Sequence, residues 1–147
     1  MKQYVVLSHE PWQAIPTRTQ QLVTRLRDVN VLFFEPPAPP GSRAHRAPGR
    51  RVRPNIMVYT LPPRLDERLE TKLLRRRTLA RLDRFLTKVL QKHRFQEPAL
   101  WLTSPEQYLL TDRLAHRGLI YDCAAEWDEL PLEWESELAL RADVVFA

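Results

Sequence analysis

The sequence predicts an α/β fold: a Rossmann-like parallel sheet of about six strands with helices on both faces. Three observations predict it. Short apolar runs alternate along the chain with longer segments of helical periodicity. The runs are apolar at consecutive positions, as in strands buried on both sides, rather than alternating with polar residues. The 147 residues, 44% of them hydrophobic, suit one domain with one core, so the chain is read as a single unit over 1–147.

Residues 4–7 (YVVL) open the chain as a buried strand, and residues 8–16 follow as a loop with two prolines. Thr17 is placed to cap a helix running through Arg27, with Leu22, Val23 and Leu26 at helical spacing. Residues 29–34 (VNVLFF) form the second strand, which completes one βαβ unit. Residues 35–53 are rich in Pro, Arg and Gly without apolar periodicity and read as a mobile excursion. Residues 56–61 are the third strand, closed by Pro62 and Pro63. From 65 to 95 the leucines step by three or four, apart from a wider gap after Leu73. They predict one long helix, or two broken near 75–78. Residues 98–102 (PALWL) are the fourth strand. Ser104 then stands as an N-cap, with Pro105 at the first helical position, for a helix reaching about Arg117 and stopped by Gly118. Residues 119–121 are the fifth strand, 122–130 an acidic and aromatic loop, 131–141 a helix, and 144–146 the start of a sixth strand. A last strand with no covering helix after it is expected to belong to a longer protein.

In a parallel sheet with right-handed crossovers every strand ends on one rim, where ligands bind. The loops at 8–16, 35–53, 61–64, 103–104 and 122–130 are therefore the candidate site. The first turn, Ser8-His9-Glu10-Pro11-Trp12, lacks the G-x-G-x-x-G fingerprint, and no G-x-x-x-x-G-K-[ST] motif occurs. A dinucleotide dehydrogenase and a P-loop enzyme are thereby disfavoured. Cys123 is the single cysteine, so neither an internal disulfide nor a cysteine zinc site is expected, and a reducing compartment is. With no signal peptide and no apolar stretch near the roughly 20 residues needed to span a bilayer, the expectation is a cytoplasmic protein.

Ser8, His9 and Glu10 are candidates to bind or deprotonate a substrate hydroxyl, against the reading that the last two are solvated loop residues. Trp12 either stacks on a sugar or lipid face or plugs the space over the first helix. Arg18 and Gln20, in that helix's first turn, could hold an anion or hydroxyl, or lie on an exposed surface. Ser104 and Tyr108 complete the candidates at the fourth strand's exit. Asp122, Glu126, Asp128 and Glu129 crowd the fifth strand's exit, with Tyr121, Trp127 and Trp134 nearby. Acidic and aromatic loops suit polyhydroxylated ligands. No His or Cys joins the acids at ligand spacing, so no metal is expected.

Charge is divided along the chain. Residues 1–94 hold 20 of the 23 Lys and Arg, and residues 95–147 hold 11 of the 18 Asp and Glu. Such a split points to a basic surface for an anionic partner. It is densest at 64–94, where Arg68, Lys72, Arg75, Arg76, Arg77, Arg81, Arg84 and Lys88 ride on an amphipathic pattern. That is the sign of a segment lying on an anionic membrane surface, and equally of a sheet-covering helix with a charged outer side. Nucleic acid is disfavoured, since only Phe85 and Phe95 interrupt the basic residues.

Several segments together resemble a known family. Val5-Val6-Leu7-Ser8-His9-Glu10-Pro11-Trp12, Arg18-Thr19-Gln20-Gln21-Leu22 and Val31-Leu32-Phe33-Phe34-Glu35-Pro36-Pro37 look like the start of bacterial two-domain glycosyltransferases of the GT-B fold. So do Leu100-Trp101-Leu102-Thr103-Ser104-Pro105, Ile120-Tyr121-Asp122-Cys123 and Arg141-Ala142-Asp143-Val144-Val145-Phe146-Ala147. The likeness is greatest to the retaining, family-four-like group that includes teichuronic acid and exopolysaccharide biosynthesis transferases. It covers nearly the whole chain except the Pro/Arg excursion and the basic helix.

The resemblance implies the N-terminal, acceptor-side half of such an enzyme. The paired glutamates and most nucleotide-sugar contacts would belong to a C-terminal donor domain absent from this chain. By the same implication this half alone transfers no sugar, and it works in cell-envelope polysaccharide synthesis at the inner face of the membrane on a sugar or lipid-linked acceptor. His9, Glu10 and Asp122 are then candidates nearest the chemistry. Ser8, Trp12, Arg18, Gln20, Ser104, Tyr108, Glu126 and Trp127 are candidates for acceptor contacts. The nucleotide sugar is a co-substrate, and no cofactor is implied. Relatives often carry a glycine-rich first loop, which this sequence lacks.

Overall fold

The computed structural model describes residues 2–37, 39, 41–63, 72–123 and 132–146, with 72–74 by backbone alone. It is an α/β fold built on one seven-stranded sheet. The strands are β1 (Lys2–Leu7), β2 (Val29–Glu35), β3 (Arg50–Arg53), β4 (Ile56–Thr60), β5 (Ala99–Leu102), β6 (Gly118–Asp122) and β7 (Val144–Phe146). Their order is β3-β4-β2-β1-β5-β6-β7, with every neighbouring pair parallel except β3 on β4. Without β3, the order is that of the doubly wound dinucleotide-binding folds. The chain reverses direction across the sheet between β1 and β5.

The helices are α1 (Arg18–Thr24), α2 (Lys72–Lys92) and α3 (Leu132–Arg141). Thr17 caps α1 as its composition predicts, its hydroxyl accepting from Gln20 N at 3.2 Å. Alternate residues of each buried strand supply two separate cores. Val5, Leu7, Leu32, Phe34, Leu100, Leu102 and Tyr121 pack on one face with Leu86, Val89 and Leu90 of α2 and Leu138 of α3. Val6, Val31, Phe33, Ile56, Val58 and Trp101 pack on the other with Val23 of α1. The helices thus cover both faces, and α2 is continuous through 75–78.

Two expectations are corrected. The 35–53 segment is not a structureless excursion. It holds a 3-10 turn, Ala44–Arg46, and the strand β3, which makes the sheet seven-stranded with one antiparallel edge. The sequence RRVR hides this strand because it is an edge, exposed at three of four positions, so no apolar run marks it. Its hairpin with β4 depends on Gly49, where a Cβ would come within 2.5 Å of the Tyr59 ring.

The segment after Ser104 is not an α-helix to Arg117. It is a 3-10 helix, Pro105–Leu110, followed by turns, and Gly118 opens β6 instead of closing a helix. The Gln107 side chain folds back to accept from Thr103 N (2.9 Å) and Ser104 N (3.2 Å), tying this segment to its own start. Leu110 and Leu114 are drawn into the core, so tertiary packing overrides the helical pattern.

Candidate functional site

The sheet's register builds one feature that no single motif announces. Glu35 pairs with Thr60, Leu7 with Phe34 and Leu102, and Leu102 with Tyr121. One residue further on, Thr60, Glu35, Ser8, Thr103 and Asp122 fall in a single row across β4, β2, β1, β5 and β6. With strands about 4.8 Å apart, the row runs roughly 19 Å along the C-terminal rim. Alternation turns all five side chains to the α1 face, because each follows a residue packed against α2 or α3. Glu35, Ser8, Thr103 and Asp122 are 7%, 2%, 0% and 0% exposed.

Buried polar groups in such a row must be paired, and the pairs differ along it. At one end Glu35 is fully occupied. One carboxylate oxygen accepts from Arg50 (2.7 Å) and from Trp12 N (3.1 Å), the other from the Thr60 hydroxyl (2.8 Å). In the middle Thr103 donates its hydroxyl to Leu7 O (3.0 Å) and accepts from His9 N (2.8 Å). The Ser8 hydroxyl is closed on its own turn, donating to Glu10 O (2.6 Å) and accepting from Glu10 N (3.1 Å). At the far end one oxygen of Asp122, Oδ1, receives Arg18 from the start of α1. Its Oδ2 is buried and has no hydrogen-bond partner among the described residues.

The loop leaving β1 is clamped in turn. Gln20 is 4% exposed, and its amide is spent on Gln13, accepting from Gln13 N (3.0 Å) and donating to Gln13 O (2.9 Å). His9 and Glu10 stand where the clamped loop meets the row. Their side chains approach to 3.6 Å, with Glu10 half-exposed.

Ser8, Arg18 and Asp122 therefore lie on the rim between β1, β5 and β6 with His9 and Glu10, while Ser104 follows Thr103 and is tied by its backbone N–H to Gln107. Other candidates are engaged within the fold. Gln20 clamps the loop, with one N–H and one oxygen lone pair of its amide taken by Gln13. Trp12 is the plug, its ring set edge-on to Phe33 at a centroid distance of 5.1 Å. Tyr108 packs beside Trp134 on α3, with the Arg141 guanidinium over its ring, so its face is covered. Glu126, Trp127 and Arg68 lie outside the described residues, as does the side chain of Lys72. Glu35, Thr60 and Thr103 were missed. The signal that finds them is simple: each is the first polar side chain after an apolar strand.

Beside the row, the Tyr121 hydroxyl donates to Glu135 Oε1 at 2.8 Å, and burial with that bond pushes its pKa up. Burial likewise raises the Cys123 thiol, which lies 3.4 Å from the same oxygen. Among the described residues no group of His, Cys, Asp and Glu is arranged to hold a metal ion, and no helix is long and apolar enough to cross a membrane. No protein-family model matches the chain, and no curated protein matches it in sequence.

Proposed function

We propose that this chain is the acceptor-binding half of a glycosyltransferase, one that moves a sugar from a nucleotide-sugar donor to a carbohydrate or lipid-linked acceptor in cell-envelope polysaccharide synthesis. Another domain supplies the grip on the donor. The observation that carries this reading is the buried Asp122 oxygen that no donor among the described residues reaches, at the end of an otherwise satisfied polar row beside the switch point of the sheet. A buried carboxylate oxygen with no donor calls for one, and a sugar hydroxyl is a donor of the right kind.

The surrounding residues support it. His9 and Glu10 add groups able to accept or pass a hydroxyl proton. Arg18 holds the Asp122 carboxylate in place from the opposite side. The first turn is closed by a serine hydroxyl rather than opened by glycine, so it offers no cradle for a pyrophosphate. That division fits an acceptor side better than a donor side.

The reading is tested by presenting the labelled chain to an array of bacterial envelope glycans and, separately, to uridine diphosphate. Retention by a class of glycan, lost on Asp122→Asn, together with weak or no nucleotide binding is expected. Tight nucleotide binding with no glycan retained would overturn it.

A further inference from the structure

We infer that the outer side of α2 and the β3 hairpin beside it form one basic face that docks the protein on an anionic phospholipid surface. The inference stands apart from the polar row and does not depend on it.

The wall of α2 toward the sheet is set by Leu82, Leu86, Val89 and Leu90. At 100° per residue the opposite side carries Arg77, Arg81, Arg84, Lys88 and Lys92, in steps of four, three, four and four. All but Arg81 are exposed. The stripe follows a helix of 21 residues, about 31 Å long. Like charges three and four residues apart repel, so the stripe weakens the helix that bears it unless an anionic surface neutralises it. Asp83, the one acid between 72 and 94, lies off the stripe with Thr87 at 3.4 Å.

The hairpin extends the face. Residues 36–63 contain no acid, and Arg43, Arg46, Arg51 and Arg53 are exposed. The two elements adjoin. Burial first, then the charges of Arg81 of α2 and of Arg46, lower the pKa of His45, and burial, Lys92 and Arg51 lower that of His93 at the end of α2, so arginines of both elements lie near these rings. Arg81 also reaches Pro63 O at 3.4 Å. Other arginines of the region are also engaged: Arg50 binds Glu35, Arg51 donates to Pro54 O at 2.7 Å, and Arg75 stacks over Trp134 at 5.3 Å.

The partner is chosen by shape and chemistry. No aromatic side chain stands on the outward stripe, so there is no platform for bases to stack on. A flat leaflet needs none, and a row of long cationic side chains along a helix suits its phosphates.

The test is co-sedimentation of the full chain with vesicles of phosphatidylcholine alone, and with vesicles in which about a third of the lipid is phosphatidylglycerol. Binding to the second and not the first is expected. Each basic group contributes about a fivefold factor, so Arg77→Glu, Arg84→Glu, Lys88→Glu and Lys92→Glu together should weaken binding at least ~100-fold. Neutral Gln versions at the same four positions should weaken it less. A control with Arg25→Glu, Arg27→Glu and Arg113→Glu, exposed elsewhere, should bind nearly as the parent does. Retained circular dichroism establishes that each variant is folded. Equal loss in the control, no preference for the anionic lipid, or duplex nucleic acid that outcompetes the vesicles would overturn the inference.

Discussion

Arg18, the first residue of α1, reaches across the rim to Asp122, the last residue of β6, and thereby ties the first and second halves of the doubly wound sheet together. Asp122 is fully buried while Arg18 stays half-exposed. Removing the cation leaves a buried carboxylate with no partner on either oxygen among the described residues. Arg18→Met should therefore cost about 1–3 kcal/mol, the penalty for a stranded buried polar group moderated by water reaching the vacated side. Arg18→Met combined with Asp122→Asn should recover part of it. Denaturant unfolding of the four chains measures the coupling, and strict additivity would contradict the pairing.

Glu35 should behave as the anchor of the first loop. It joins Trp12 N, Arg50 and Thr60 on a single carboxylate. Glu35→Ala removes the acceptor of Trp12 N and the Thr60 hydroxyl, with Arg50 left to water, and should cost about 1–3 kcal/mol. Amide exchange at Trp12 should accelerate more than exchange in α3, which the carboxylate does not touch. Uniform acceleration would argue against an anchoring role.

Gly49→Ala tests the hairpin. The added Cβ would meet Tyr59 at 2.5 and 2.8 Å and Met57 at 2.9 Å. The Tyr59 ring is stacked on Phe34 and bonded through its hydroxyl to His93 at 2.6 Å, so it cannot simply swing away. A loss of about 1–3 kcal/mol is expected, as for overpacking of a core. An unchanged thermal midpoint would mean that β3 does not pack as described.

His93 gives the fold a pH dependence of fixed sign. Burial first, then Lys92 and Arg51, lower its pKa from 6.5. As pH falls, the unfolded chain takes up that proton before the folded one does. The stability held by neutral His93 is therefore complete above pH 6.5 and declines below it. Melting between about pH 7.5 and about pH 5.5 should show a falling midpoint, with a shallower fall in His93→Gln. Identical slopes would contradict this.

Cys123 should react slowly. Burial raises its thiol pKa, which leaves little thiolate near neutrality. Iodoacetamide should modify the folded chain at least ~10-fold more slowly than the urea-unfolded chain. Comparable rates would show the thiol to be exposed.

The six parallel strands were legible because each is an apolar run, a pattern that burial on both faces demands of the inner strands, although β7 at the sheet's edge carries it while exposed. β3 was not, because an edge strand of arginines owes its place to hydrogen bonds with β4 and to the close fit of Gly49 on Tyr59, both tertiary facts. The 3-10 helix after Ser104 carries sound capping chemistry, yet Gln107 turns its side chain back to Thr103 and Ser104, and Leu114 closes on the core. The rim was readable as a set of loop residues. Its logic was not: which candidates hold one another, as Gln20 holds Gln13, and which lack a partner among the described residues, as Asp122 Oδ2 does, follows from register and from partners far away in sequence.

The central claim is that the rim at Ser8, His9, Glu10, Ser104 and Asp122 binds a carbohydrate. Amide chemical-shift mapping of the isotopically labelled chain, titrated with envelope oligosaccharides, tests it most directly. The account predicts saturable shifts at those five residues, abolished by Asp122→Asn in a chain whose remaining spectrum is unchanged. Shifts confined to α2 and the β3 hairpin, or none there or at the rim with any oligosaccharide, would contradict it.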